Sequence, residues 1–132
     1  MHGTYARWML DDAPIMAFVP TMNLDGARAF YEGTLGLSVE EHTEFAVALN
    51  GGGCRLRATL VEQLTPQPFT VLGWVVDDVE AAVKDLSERG VEFTVYEGMG
   101  QDANGVWTAP GGARIAWFRD PDGNTLSLTQ FS

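Results

Sequence analysis

Apolar residues follow a strand-then-helix order in the first half of the chain. Alternation over residues 14–21 predicts a strand, and Asn23 can cap a helix that runs from about Leu24 to Gly33, where apolar residues recur at helical spacing. Three further strands are predicted, over residues 37–42, 45–49 and 54–61. This half therefore predicts the order strand, helix, strand, strand, strand.

The same order restarts after a segment that contains Pro66 and Pro68, which break regular structure and predict a linker. The elements predicted next are a strand over 69–76, a helix capped by Asp77 or Asp78 and ended by Gly90, a strand over 91–97, a loop over 99–110, and a hairpin of 113–119 and 124–131. We therefore expect an N-terminal arm of residues 1–13 and one domain over 14–132, made of two βαβββ modules (14–62 and 69–131) joined by residues 63–68.

The turn of the closing hairpin sets the register of its two strands. In Asp120-Pro121-Asp122-Gly123 the proline restricts φ, and the glycine accepts the positive φ that such turns require. A three-residue turn pairs Asp120 with Asn124. We therefore expect Trp117 to lie opposite Ser127 on the same face of the sheet.

Charge and cysteine content narrow the function classes. The 132 residues carry a formal net charge of -10 without a basic patch, which argues against nucleic acid as a partner. Cys54 is the only cysteine, so an internal disulfide and a cysteine-rich zinc site are excluded. The first residues carry no secretion signal, and no apolar run reaches the length of a membrane helix. We expect no membrane partner and a cytoplasmic location.

Motifs in both halves point to one family. They are Ala29-Phe30-Tyr31-Glu32 with Leu35-Gly36-Leu37, then Trp74-Val75-Val76-Asp77-Asp78-Val79, Glu88-Arg89-Gly90-Val91 and Phe118-Arg119-Asp120-Pro121-Asp122-Gly123-Asn124. In this order and spacing the chain resembles the glyoxalase/bleomycin resistance/dioxygenase superfamily, also called the vicinal oxygen chelate fold, over about residues 14–131. The resemblance implies an α+β fold in which two βαβββ modules form curved mixed sheets around a shared cup. It also implies a homodimer, since related proteins commonly pair.

The resemblance further implies four metal-binding positions, one on the first and one on the last strand of each module. Matching the motifs places them at Met16, Arg57, Val71 and Ser127. A thioether, a guanidinium, an isopropyl group and a hydroxyl do not supply the anionic or imidazole donors that divalent metals require. We therefore expect no bound metal and no cofactor.

Strand alternation indicates which side chains line the cup. The ligand-binding candidates chosen by parity are Met16, Phe18, His42, Arg57, Tyr96, Trp117 and Ser127. Their aromatic and thioether groups favour a flat organic molecule and Arg57 favours a carboxylate, whereas the acidic charge of the chain favours a cation. The sequence leaves this conflict open. The loop over 99–110 is long enough to act as a lid.

Several functions remain compatible with these residues. The favoured one is a metal-free small-molecule-binding protein that holds an aromatic or carboxylate-bearing ligand in the cup, comparable to the drug-sequestering members of the family. One alternative is a metal-dependent lyase or dioxygenase with displaced ligands, using His42 with Glu40 or Glu97. The others are a metal-independent enzyme with His42 or Tyr96 as general base, and a structural role in which the cup is filled by its own side chains.

Overall fold

The computed structural model of the chain describes residues 10–132, so most of the predicted N-terminal arm lies outside the described residues. The elements in chain order are a 3-10 turn (Leu10–Asp12), β1 (Met16–Thr21), α1 (Leu24–Arg28), a π-helical segment (Ala29–Thr34), β2 (Ser38–His42), β3 (Ala46–Gly51), β4 (Cys54–Leu60), β5 (Thr70–Val75), α2 (Val79–Glu88), β6 (Trp107–Thr108), β7 (Arg114–Arg119) and β8 (Thr125–Gln130). Over these residues, no helix is long and apolar enough to cross a membrane.

The strands form two four-stranded mixed sheets. Sheet 1 has the order β1-β4-β3-β2 and sheet 2 the order β5-β8-β7-β6. In each sheet the first and last strands of the module run parallel, and the other pairs are antiparallel. The predicted α+β fold of two βαβββ modules is confirmed.

Side-chain caps begin both helices where the sequence predicts them. The Asn23 side chain accepts a hydrogen bond from the amide of Gly26 at 3.0 Å, and Asp78 accepts one from the amide of Ala81 at 3.1 Å. Asp78, and not Asp77, is therefore the cap of α2. Beyond the end of α2, Gly90 takes a φ of 96°, a conformation that glycine adopts without strain.

One apolar core joins the two modules. Val19, Val47 and Leu56 of sheet 1 belong to the same buried cluster as Phe118 and Leu126 of sheet 2. Because side chains alternate across a strand, the intervening residues point away from this core. Each sheet therefore has one face packed on the core and one outward face, and the cup candidates have to be sought on the outward faces.

A buried carboxylate ties the first module to the closing turn of the second. Asp120 is only 6% exposed and accepts hydrogen bonds from the hydroxyl of Tyr31 at 2.7 Å and from the side-chain amide of Asn124 at 2.8 Å. The backbone amides of Asp122 and Asn124 donate to its other oxygen. The side-chain amide of Asn124 also donates to the carbonyl of Pro20 near the end of β1. The Phe-Tyr and Asp-Pro-Asp-Gly-Asn motifs are thus parts of one polar network between the modules.

Because of this network, we expect the stability of the chain to decrease at alkaline pH. Burial raises the pKa of Tyr31 far above its ordinary value of 10.0, and the Asp120 carboxylate raises it further. Above pH 10 the unfolded chain loses the tyrosine proton and the folded chain keeps it, so wild-type stability should fall by about 1.4 kcal/mol between pH 8 and pH 11. Tyr31→Phe lacks this contribution. Its deficit against wild type in urea unfolding should therefore shrink by that amount over the same range, and a deficit independent of pH would contradict the interpretation.

The prediction of a strand over 91–97 is wrong. Only Phe93 forms a β-bridge, to Phe118, and the amide of Thr94 donates to the carbonyl of Trp117. The side chain of Gln101 takes up the next backbone groups, since its Oε1 accepts from the amide of Tyr96 and its Nε2 donates to the carbonyl of Thr94. Pairing with β7 resumes only at the short strand β6, inside the segment predicted to be a loop.

Candidate functional site

The outward face of sheet 1 brings two of the predicted candidates side by side. Phe18 of β1 pairs with Arg57 of β4, and Met16 pairs with Arg55 in the same ladder. Phe18 is 60% exposed and Met16 is 45% exposed, whereas Arg57 is half-buried. The structure therefore places Met16, Phe18 and Arg57 together on an accessible face of β1 and β4.

His42 does not belong to this face, so the parity prediction for it is wrong. The β2–β3 ladder shifts register between Val39 and Glu41, which inserts one extra residue into β2. Beyond such a bulge the side chains change faces. His42 consequently pairs with the buried Val47, and its Nδ1 lies 3.1 Å from a guanidinium nitrogen of Arg28 on α1. Its Nε2 lies 4.0 Å from a carboxylate oxygen of Asp25, also on α1.

The bulge brings acidic residues into the place expected for the histidine. A cleft of about 470 Å³ on the outward face of sheet 1 is lined by Met16, Glu40, Glu41, Ala48, Arg55, Leu56 and Arg57. Glu40 is ion-paired with Arg55 at 3.5 Å. Within residues 10–132, Arg57 and Glu41 have no ion pair. Glu41 was not among the predicted candidates, and two adjacent glutamates in a strand were the only sequence signal for it.

The outward side of sheet 2 carries a group of three aromatic side chains. Trp117 pairs with Ser127, as the turn register predicts, and Trp107 pairs with Ile115 on the same face. The ring centroid of Trp117 lies 5.6 Å from that of Tyr96, edge to face, and 6.1 Å from that of Trp107. We call Tyr96, Trp107 and Trp117 the aromatic group. The sequence indicated Tyr96 and Trp117, and missed Trp107 as a partner because it lay in the predicted loop.

The segment proposed as a lid is tied down by its own side chains. Besides its contacts to residues 94 and 96, Gln101 donates to the carbonyl of Gly105 at 2.7 Å. The Asp102 carboxylate accepts from the amides of Asn104 and Val106, and its other oxygen lies 3.8 Å from Arg114 of β7. These bonds position the loop that carries Tyr96 and Trp107 and therefore shape the aromatic group.

Ser127 occupies the space above a glycine on the neighbouring strand. It is 8% exposed and pairs with Gly73 of β5. A Cβ atom added at Gly73 would lie 2.6 Å from the Ser127 hydroxyl, so the two small residues are matched to each other. A larger residue at position 73 would therefore collide with Ser127.

Comparison with known proteins decides the family. The family model described as Glyoxalase/Bleomycin resistance protein/Dioxygenase superfamily matches residues 14–128. The chain belongs to this superfamily. No curated protein matches the chain, whereas many solved structures do.

Solved structures of superfamily proteins share this fold at low sequence identity. The bleomycin resistance determinant encoded on transposon Tn5 is 23% identical, with a TM-score of 0.71 over 89% of this chain and 97% of the other. Lactoylglutathione lyase from Agrobacterium tumefaciens is 18% identical, with a TM-score of 0.70 over 90% and 93%. A superfamily member from Sphaerobacter thermophilus is 24% identical, with a TM-score of 0.70 over 92% and 99%. At these identities the likeness concerns the fold alone.

The metal positions that the superfamily implies do not fit a divalent metal in this member. Met16 and Arg57 offer a thioether and a cation, and Val71, 40% exposed, offers no donor atom. Ser127 retains only a neutral hydroxyl, which lies against Gly73. Across the described residues, no three histidine, cysteine, aspartate or glutamate side chains are grouped so that they could hold a metal ion. The donor set is thus unlike the His, Asp and Glu ligands that such metals prefer.

Proposed function

We propose that this superfamily member is a metal-free binding protein for a small aromatic molecule that carries a carboxylate. The observation that supports this most is the environment of Arg57, a half-buried residue that lines a cleft of about 470 Å³ and whose guanidinium has no ion-pair partner among residues 10–132. An unpaired guanidinium favours a carboxylate held by two parallel hydrogen bonds. The exposed side chains of Met16 and Phe18 beside it favour an apolar ring.

The aromatic group provides a second surface of the same character. Trp107 and Trp117 are tilted by 36° to each other, and Tyr96 meets Trp117 at 82°. At these centroid distances the rings fill the space between them, so a ligand would stack on their outer surface rather than enter a cage. Stacking of this kind favours flat organic molecules.

The apolar surface around β1 and β5 supports a homodimer as the working form. Met16, Phe18, Val71 and Val75 are all exposed by 40% or more, and their two strands contact each other. A continuous exposed apolar surface is typical of an interface. A second copy seated on Val71 and Val75 would form a wall of the open cleft beside Arg57 and would leave Met16 and Phe18 free to contact the ligand. The dimer thus belongs to the proposed binding site.

The enzyme alternative with displaced metal ligands has less support. It needs His42 and a glutamate at one place, but His42 faces α1 whereas Glu40 and Glu41 line the cleft on the other face of sheet 1. Glu97 belongs to the second module. The same orientation of His42 removes it as a general base for a ligand in that cleft.

Calorimetric titration with small aromatic carboxylates tests the proposal. We expect binding that is unchanged by an excess of EDTA, and we expect Trp117→Ala to weaken it by about tenfold because the ligand loses a stacking surface of the aromatic group. Light scattering on the same sample should give twice the 14.4 kDa of one chain. Binding that appears only after zinc, nickel, manganese or iron is added would refute the metal-free proposal, and a panel without any binder would refute the binding function.

A further inference from the structure

Two opposite charges stand on either side of one small residue in the cleft of sheet 1. Glu41 pairs with Ala48 across β2 and β3, and Ala48 pairs with Arg57 across β3 and β4. Neighbouring strands are about 4.8 Å apart, so the backbone positions of Glu41 and Arg57 are separated by about 10 Å. The methyl group of Ala48 leaves the space between the two charged side chains open.

Within the described residues, Glu41 and Arg57 are unpaired, whereas the other two charged residues of the cleft form an ion pair with each other. Glu40 and Arg55 neutralise each other, with 3.5 Å between Oε1 and Nε. In the described part of the chain, Glu41 and Arg57 contact neither each other nor another charged group. The cleft therefore offers one free carboxylate and one free guanidinium on backbone positions about 10 Å apart.

We propose that this cleft recognises a zwitterion, namely the ammonium and carboxylate groups of an α-amino acid. The ammonium would donate to the Glu41 carboxylate and the ligand carboxylate would accept from Arg57, which gives two charge-assisted hydrogen bonds across the gap. The ligand side chain would lie on Met16 and Phe18 of β1. The proposal rests on the proposed binding function and names its ligand class. It also accounts for a guanidinium in the site of a chain whose net charge is -10.

Three matched probes distinguish the binding of a zwitterion from the binding of a carboxylate alone or an ammonium alone. L-phenylalanine carries both charges, 3-phenylpropanoate lacks the ammonium, and phenethylamine lacks the carboxylate. By calorimetry on the full chain, L-phenylalanine should bind at least about tenfold more tightly than either of the other two. In Glu41→Gln that advantage over 3-phenylpropanoate should disappear, while 3-phenylpropanoate itself binds as well as before or better. Glu88→Gln, an exposed glutamate on α2, is the matched control and should preserve the wild-type ranking.

The outcomes distinguish this inference from the function on which it rests. If 3-phenylpropanoate binds wild type as tightly as L-phenylalanine does, the zwitterion is refuted and the carboxylate-binding function stands. If Glu41→Gln loses affinity for all three probes equally and its circular dichroism spectrum is unchanged, a specific contact to the ammonium is also refuted. If none of the three probes binds, this inference is refuted, and the binding function fails as well only when the panel of aromatic carboxylates also gives no binder.

Discussion

Asp120→Ala should lower the free energy of unfolding by about 4 kcal/mol, the largest effect we expect from a single substitution outside the apolar core. The carboxylate accepts four hydrogen bonds, and its removal leaves the buried hydroxyl of Tyr31 without its acceptor and the side-chain amide of Asn124 with only its bond to the carbonyl of Pro20. A buried polar group that loses its partner costs about 1–3 kcal/mol, and the Tyr31 hydroxyl and the backbone amide of Asn124 are two such groups. In a domain of this size a loss of about 1 kcal/mol lowers the melting temperature by about 4 °C, so the melting temperature should fall by roughly 15 °C.

Two further variants show whether the network, and not simply the charge, is responsible. Asp77→Ala removes an exposed carboxylate one residue before the α2 cap, and should change the unfolding free energy by less than about 0.5 kcal/mol. Asp120→Asn keeps the shape but turns one acceptor into a donor, which then faces either the Tyr31 hydroxyl and the Asn124 side chain or the two backbone amides. It should therefore destabilise the chain by more than Tyr31→Phe does. A cost for Asp120→Ala as small as that of Asp77→Ala would show that the network does not couple the modules.

The architecture could be predicted from the sequence because it depends on local sequence features. Two capped helices and a Pro-Asp-Gly turn depend on residues within a few positions of each other, and the turn alone was enough to place Trp117 opposite Ser127. The role of Asp120 could not be predicted in this way. Its partner Tyr31 is distant in the sequence, so the local pattern predicts the aspartate only as part of the turn.

The candidate site was predicted less well because strand parity fails wherever a ladder is interrupted. One extra residue in β2 moves His42 to the helix side and Glu41 to the cleft, and no apolar pattern marks that position. In the second module, Gln101 binds backbone groups that would otherwise extend a strand, so the strand predicted over 91–97 does not form. The second error comes from a polar side chain that competes with the regular ladder for backbone groups.

Arg57→Gln should weaken the binding of an aromatic carboxylate by about 100-fold, the largest effect we expect on the proposed function. Arg57 is a half-buried residue whose guanidinium no carboxylate of the described chain neutralises, so a ligand carboxylate would make its only ion pair. A charge-assisted pair contributes about 1.5–3 kcal/mol, and 2.7 kcal/mol corresponds to about 100-fold in the dissociation constant. Arg57→Lys keeps the charge but loses the two-pronged geometry, so it should recover only part of the affinity.

Arg55→Gln is the matched comparison for this prediction, because it removes the same side chain two positions away on the same face of β4. Arg55 is paired with Glu40 and is more exposed, at 65% of its side chain, so its charge is already neutralised and screened. Its loss should weaken ligand binding by no more than about threefold. Equal losses for Arg55→Gln and Arg57→Gln would mean that the ligand responds to the general positive charge of β4 and not to the unpaired guanidinium. In that case the ion pairing seen in the cleft would not select the ligand.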